Sequence, residues 1–109
     1  MRPPRNPSSR PSPVDVFEYE MVQEKAATLA RLGRRATAAL DALRAFDAAP
    51  DAAQSRDVLV AAAGEAMWYY MVQREVCGFR DSEALLRQLG VPREVRLRMG
   101  VFPGAAKRP

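Results

Sequence analysis

The sequence predicts an all-α protein: a long antiparallel helical hairpin followed by two short C-terminal helices. Three observations lead there. Apolar or small residues recur at steps of three and four through Val22, Ala26, Leu29, Gly33, Ala36, Leu40 and Leu43, the period of a helix with one apolar face. No segment alternates with period two for long enough to make a strand. Prolines and glycines sit at the ends of the periodic segments and rarely inside them, so they read as boundaries.

Residues 1–12 hold four prolines among serines and arginines. Such a stretch opposes helix and has nothing to bury, so a disordered Pro/Arg-rich tail is expected. Residues 13–100 are expected to form a single helical domain, and 101–109 a flexible C-terminal tail. Ser12, Pro13 and Asp15 make a helix start: a capping hydroxyl, a proline at the first position, and an acid near the positive helix end. The first helix is predicted over 13–48 and is broken by Pro50 and Asp51.

The second helix is predicted over 52–77, with Asp51 and Gln54 as a capping box or Ser55 as the cap. One face carries Val58, Ala62, Tyr69, Val72 and Val76, expected to meet the first helix. Leu59, Ala63, Met67 and Tyr70 lie on another, which the C-terminal helices or a second chain would have to cover. Gly78 supplies the stop. Asp81 or Ser82 opens a helix over 82–89 that Gly90 ends, and Pro92 opens the last, over 92–99.

Two helices joined by a short turn at residue 50 place residue i opposite roughly residue 100 − i. That register sets Gly33 beside Trp68, where the missing side chain makes room for the indole. It also sets Arg35 near Glu65, and Glu24 and Lys25 near Arg74 and Glu75.

The chain has 109 residues with no histidine and one cysteine, Cys77. A histidine-dependent triad, a histidine-ligated metal, an internal disulfide and a zinc site made of cysteines alone are thereby excluded. No cofactor and no metal is expected. Val58–Val72 is apolar but interrupted by Gly64 and Glu65, and falls short of the roughly 20 residues a membrane span needs. The first thirteen residues lack a signal-peptide core, and a lone cysteine suits a reducing compartment. A cytoplasmic protein without a membrane partner is expected.

Net charge is +4, unevenly placed. Residues 1–13 carry +3, 14–49 carry −1, 50–79 carry −2 and 80–109 carry +4. Basicity belongs to the two ends, and the hairpin is acidic. Arginine outnumbers lysine fifteen to two, a bias that a GC-rich genome produces without selection for binding.

Several groups are candidates for function. Trp68, Tyr69 and Tyr70 are consecutive, so their rings point about 100° apart and cannot make one stacking platform; packing is the preferred role. Arg74, Arg80 and Asp81 could hold an anion, or could join the helix end to the next element, which is the preferred reading. Cys77 has no base to activate it and reads as a small buried apolar group. Glu24, Glu65 and Glu75 are explained by charge pairing and give no acid–base pair. Leu85–Gly100 has the outline of a helix-turn-helix, with Arg93, Arg96 and Arg98 available to phosphates or base edges. Against that outline, Arg96 falls where an apolar residue belongs, and the second helix is short; the preferred reading is a pair of short helices folded over the hairpin through Leu85, Leu86, Leu89, Val95, Leu97 and Met99.

The segments EKAATLARLGR (Glu24–Arg34), WYYMVQREVCGFRDS (Trp68–Ser82) and VPREVRLRMG (Val91–Gly100) resemble a family of small alphaproteobacterial proteins classed as a domain of unknown function. The resemblance covers most of the chain outside the proline-rich tail. It implies a helical fold and a bacterial source, and no chemistry comes with it.

The sequence therefore favours a non-enzymatic helical protein that acts through protein–protein contacts as a homodimer. The alternative is a nucleic-acid-associated protein using Arg93, Arg96 and Arg98, helped by Lys107, Arg108 and the N-terminal arginines. An enzyme or small-ligand site at the Trp68–Asp81 end is the weakest of the three.

Overall fold

The structure is a computed structural model and describes residues 10–101. Of the tails expected over 1–12 and 101–109, residues 1–9 and 102–109 lie outside the described residues. Four helices follow one another: α1 (Pro13–Ala48), α2 (Arg56–Val76), α3 (Ser82–Gln88) and α4 (Arg93–Arg98). No strand occurs among the described residues.

Local chemistry sets the start of α1 as the sequence predicts. The Ser12 hydroxyl accepts from the Asp15 amide at 3.1 Å, and the Asp15 carboxylate accepts from the Ser12 amide at 3.3 Å. Pro13 occupies the first turn, where its missing N–H is no loss. α2 begins later than predicted. Asp51 makes a turn of its own, its side chain accepting from the Ala53 amide at 2.9 Å and its carbonyl from the Gln54 amide. Ser55 is the cap, accepting from the Val58 amide. Pro92 precedes α4 as its cap residue, where the sequence reading had placed it inside the helix.

Two helix ends turn on glycines with left-handed backbone. At Gly78 (φ 95°) the Phe79 amide donates to the Arg74 carbonyl and the Gly78 amide to the Glu75 carbonyl. At Gly90 (φ 62°) Val91 and Gly90 donate to Leu86 and Arg87 in the same pattern. Both are Schellman stops, which need a residue without a Cβ penalty.

α1 packs along α2. Lys25 meets Cys77, Gly33 meets Tyr70, Arg35 meets Glu65 and Asp47 meets Arg56. The core comprises Ala36, Leu40 and Leu43 of α1, five residues of α2 from Val60 to Met71, and Leu85, Leu86, Val91 and Val95 from the C-terminal part. α4 rests on α2 at Gly64, where an added Cβ would lie 2.8 Å from the Arg98 Cβ.

Three expectations are corrected. The α2 face drawn by Val58, Ala62, Tyr69, Val72 and Val76 is exposed, and the face with Ala63, Ala66 and Met67 is buried. Small residues explain the choice, since Ala63, Gly64 and Ala66 let α1 and α4 approach closely. Gly33 faces the Tyr70 ring and not Trp68, its added Cβ falling 3.2 Å from the Tyr70 Cε1. Leu97, expected to pack, is 65% exposed.

Candidate interaction surface

The three aromatic residues of α2 serve three separate contacts. Tyr70 is half-buried against Gly33. The Arg35 guanidinium lies 5.5 Å from the Tyr69 ring centre while its Nη2 donates to Glu65 at 3.2 Å. Trp68 lies beneath Gly100, whose added Cβ would sit 3.6 Å from the indole. The Arg35–Glu65 pair is about half exposed, so it is a surface pair of roughly 0–1 kcal/mol.

Arg74 stands at the junction of α2 and α3. Its guanidinium pairs with Asp81, which precedes α3, and lies 4.6 Å from the Phe79 ring centre and 5.8 Å from that of Tyr70. Burial opposes its charge, but Asp81 and Tyr70 outweigh that and raise its pKa above the ordinary arginine value. Arg74 and Asp81 satisfy each other and join two helices. Arg80 is exposed and makes no ion pair among the described residues. The expected approach of Glu24 and Lys25 to Arg74 and Glu75 yields no ion pair; Arg74 turns to Asp81. Cys77, expected to be buried, is half-buried because it lies at the end of α2, its Sγ 4.0 Å from the Lys25 carbonyl oxygen and 3.9 Å from Gln73 Nε2.

The strongest polar cluster was not singled out by the sequence. Arg56 binds Asp47 through Nε (2.8 Å) and Nη2 (3.1 Å), and Glu94 through Nη1 (2.7 Å) and Nη2 (2.6 Å). One planar guanidinium thus clamps the end of α1 and the start of α4 to the start of α2. Hydrogen bonds from Arg56 hold both carboxyls below their ordinary pKa values. The overlooked signal is position: a cation in the first turn opposes the helix's own positive end and calls for acids nearby.

Two of the three arginines in the helix-turn-helix outline are engaged within the chain. Arg98 donates to Asp57 at 2.8 Å, and Arg96 to Glu83 at 3.3 Å and to the Val91 carbonyl at 3.4 Å. Arg93 is exposed and has no ion pair among the described residues. The helix-turn-helix outline therefore leaves one of its three arginines free.

The conspicuous feature is apolar surface. Val58, Tyr69, Val72 and Val76 of α2 are each 40% exposed or more, as are Val14, Phe17, Met21 and Val22 in the first turns of α1. Every residue of α1 from Pro13 to Ala27 is exposed, because α2 ends opposite Lys25 and leaves the rest uncovered. In the angle between them lies a groove of about 440 Å³ lined by Val22, Ala26, Leu29, Val76, Cys77 and Phe79 beside Lys25. Among the described residues there is no group of three or more His, Cys, Asp or Glu placed to hold a metal, and no helix long and apolar enough to cross a membrane.

A family model described as a family of unknown function (DUF6665) matches residues 8–107. No curated protein matches, and no solved structure does.

Proposed function

Since the chain belongs to DUF6665, a family of unknown function that lends it no chemistry, we propose a function from its own surface: a non-enzymatic helical interaction module, cytoplasmic, that works as a homodimer. The observation that carries this reading is the exposed apolar side formed by Tyr69, Val72 and Val76 of α2 and Val14, Phe17 and Met21 of α1. Apolar side chains left exposed over several turns of a small protein mark a place where another surface sits. We read α1 and α2 as an antiparallel hairpin, a unit that commonly doubles into a four-helix arrangement.

The polar residues support the same reading. Arg56, Arg74, Arg96 and Arg98 are held by carboxylates of the chain itself, so they act as braces. Sedimentation at 10–100 µM tests the proposal: a dimer is expected, and a monomer throughout that range overturns it. Oligonucleotide binding that weakens steeply with salt would favour the nucleic-acid alternative instead.

A further inference from the structure

We infer that α1 is itself the dimerisation element, two copies crossing antiparallel about Lys25, so that the first half of each lies on the Tyr69–Val76 side of the other; the inference rests on the homodimer reading above. The charge order along α1 is the first ground. Residues 13–24 contain Asp15, Glu18, Glu20 and Glu24 and no base, whereas residues 25–35 contain Lys25, Arg31, Arg34 and Arg35 and no acid. An antiparallel crossing at the change of sign sets the acidic half of each copy against the basic half of the other. A parallel pairing, or one confined to residues 13–24, would set like charges together.

The second ground is that these charges are unanswered within the chain. Glu20, Glu24, Arg31 and Arg34 recur at helical spacing along one edge of α1, are exposed, and make no ion pair among the described residues. Four arginines elsewhere, Arg56, Arg74, Arg96 and Arg98, find carboxylates within the chain, whereas Arg80 and Arg93 find none among the described residues.

Apolar surfaces match in the same register. Val14, Phe17 and Met21 follow the spacing that leads through Thr28 to Arg35, and Arg35 reaches Glu65 and Tyr69. Glu65, Tyr69, Val72 and Val76 in turn form one stripe of α2. The two stripes therefore share a side of the helix pair. A crossing at Lys25 brings the second copy's Phe17 level with Tyr69 and Val72, and its Met21 level with Val72 and Val76. The surplus length of α1 acquires a place to go.

Two charge-reversed variants test the pairing: Arg31→Glu with Arg34→Glu, and Glu20→Arg with Glu24→Arg. Each is expected to self-associate at least tenfold more weakly than the native chain in sedimentation at low salt, with an unchanged circular dichroism spectrum. Mixed one to one, they are expected to form a heterodimer. In a Cys77→Ser background, Lys25→Cys is expected to cross-link to itself on oxidation, whereas Asp51→Cys at the hairpin turn is not. If the native chain is a monomer, the homodimer reading falls and the pairing with it. If it is a dimer but both variants remain dimers, or their mixture stays monomeric, the pairing alone falls. Cross-linking at Asp51→Cys without Lys25→Cys also overturns the pairing alone.

Discussion

Gly33 and Gly64 both sit inside helices, where glycine costs about 1 kcal/mol against alanine, yet their neighbourhoods differ. A Cβ at Gly64 would lie 2.8 Å from the Arg98 Cβ and 3.0 Å from its carbonyl carbon. Backbone cannot step aside without moving α4. Gly64→Ala is therefore expected to destabilise by roughly 1–3 kcal/mol, measured by urea denaturation. At Gly33 the neighbour is the Tyr70 ring at 3.2 Å, which gives by a few tenths of an ångström. Gly33→Ala is expected to fall within about 0.5 kcal/mol of neutral, because the gain in helix propensity offsets the crowding. Gly33→Leu, which must displace the ring, should cost about 1–3 kcal/mol. Equal effects of the two Gly33 substitutions would show that Tyr70 does not confine the site. Sequence alone marked Gly33 as a site of close approach but assigned the wrong ring. A register inferred from turn position carries an uncertainty of a few residues, and Trp68 and Tyr70 both lie within it. The same reading passed over Gly64, whose reason lies in α4, far along the chain.

At the level of helices, the elements are held at their junctions by arginines. Arg56 joins α1, α2 and α4, and hydrogen bonds from it lower the pKa values of Asp47 and Glu94. A carboxyl with a depressed folded-state pKa contributes stability above its unfolded value, and loses that contribution as pH falls through the folded one. Arg56→Met is expected to melt below the native protein at neutral pH. The gap should narrow as pH drops below about 4, where the carboxylates protonate in both proteins. A gap constant from pH 7 to pH 2 in thermal melts would contradict the clamp. Arg56 at a helix start signals that acids are needed nearby, but which acids was not legible, because Glu94 is distant in sequence. What is local was legible: the start of α1 follows from Ser12, Pro13 and Asp15, and the stops at Gly78 and Gly90 from their glycines. The start of α2 was ambiguous because Asp51 and Ser55 offer similar capping chemistry, and only the fold decides between them.

Across the whole molecule, the helical class was plain from periodicity, and the buried face of α2 was not. α2 is apolar on more than one side, so pattern alone cannot rank the sides; the choice went to Ala63, Gly64 and Ala66, which carry little weight in any hydropathy count but permit close approach. For the same reason the exposed stripe at Tyr69, Val72 and Val76 was mistaken for core. The centre of the core behaves as one unit around Leu40, 2% exposed; Leu40→Ala is expected to cost about 2–5 kcal/mol in denaturation experiments. The short connection between α1 and α2 bears on how quickly the structure is reached. Asp47 and Arg56 are nine residues apart, whereas Asp57 and Arg98 are separated by 41. Closing the smaller loop sacrifices less chain entropy, so the ends of α1 and α2 nearest the turn are expected to come together in the transition state, with α4 docking after it. Leu43→Ala would then mainly slow refolding, and Val95→Ala would mainly hasten unfolding.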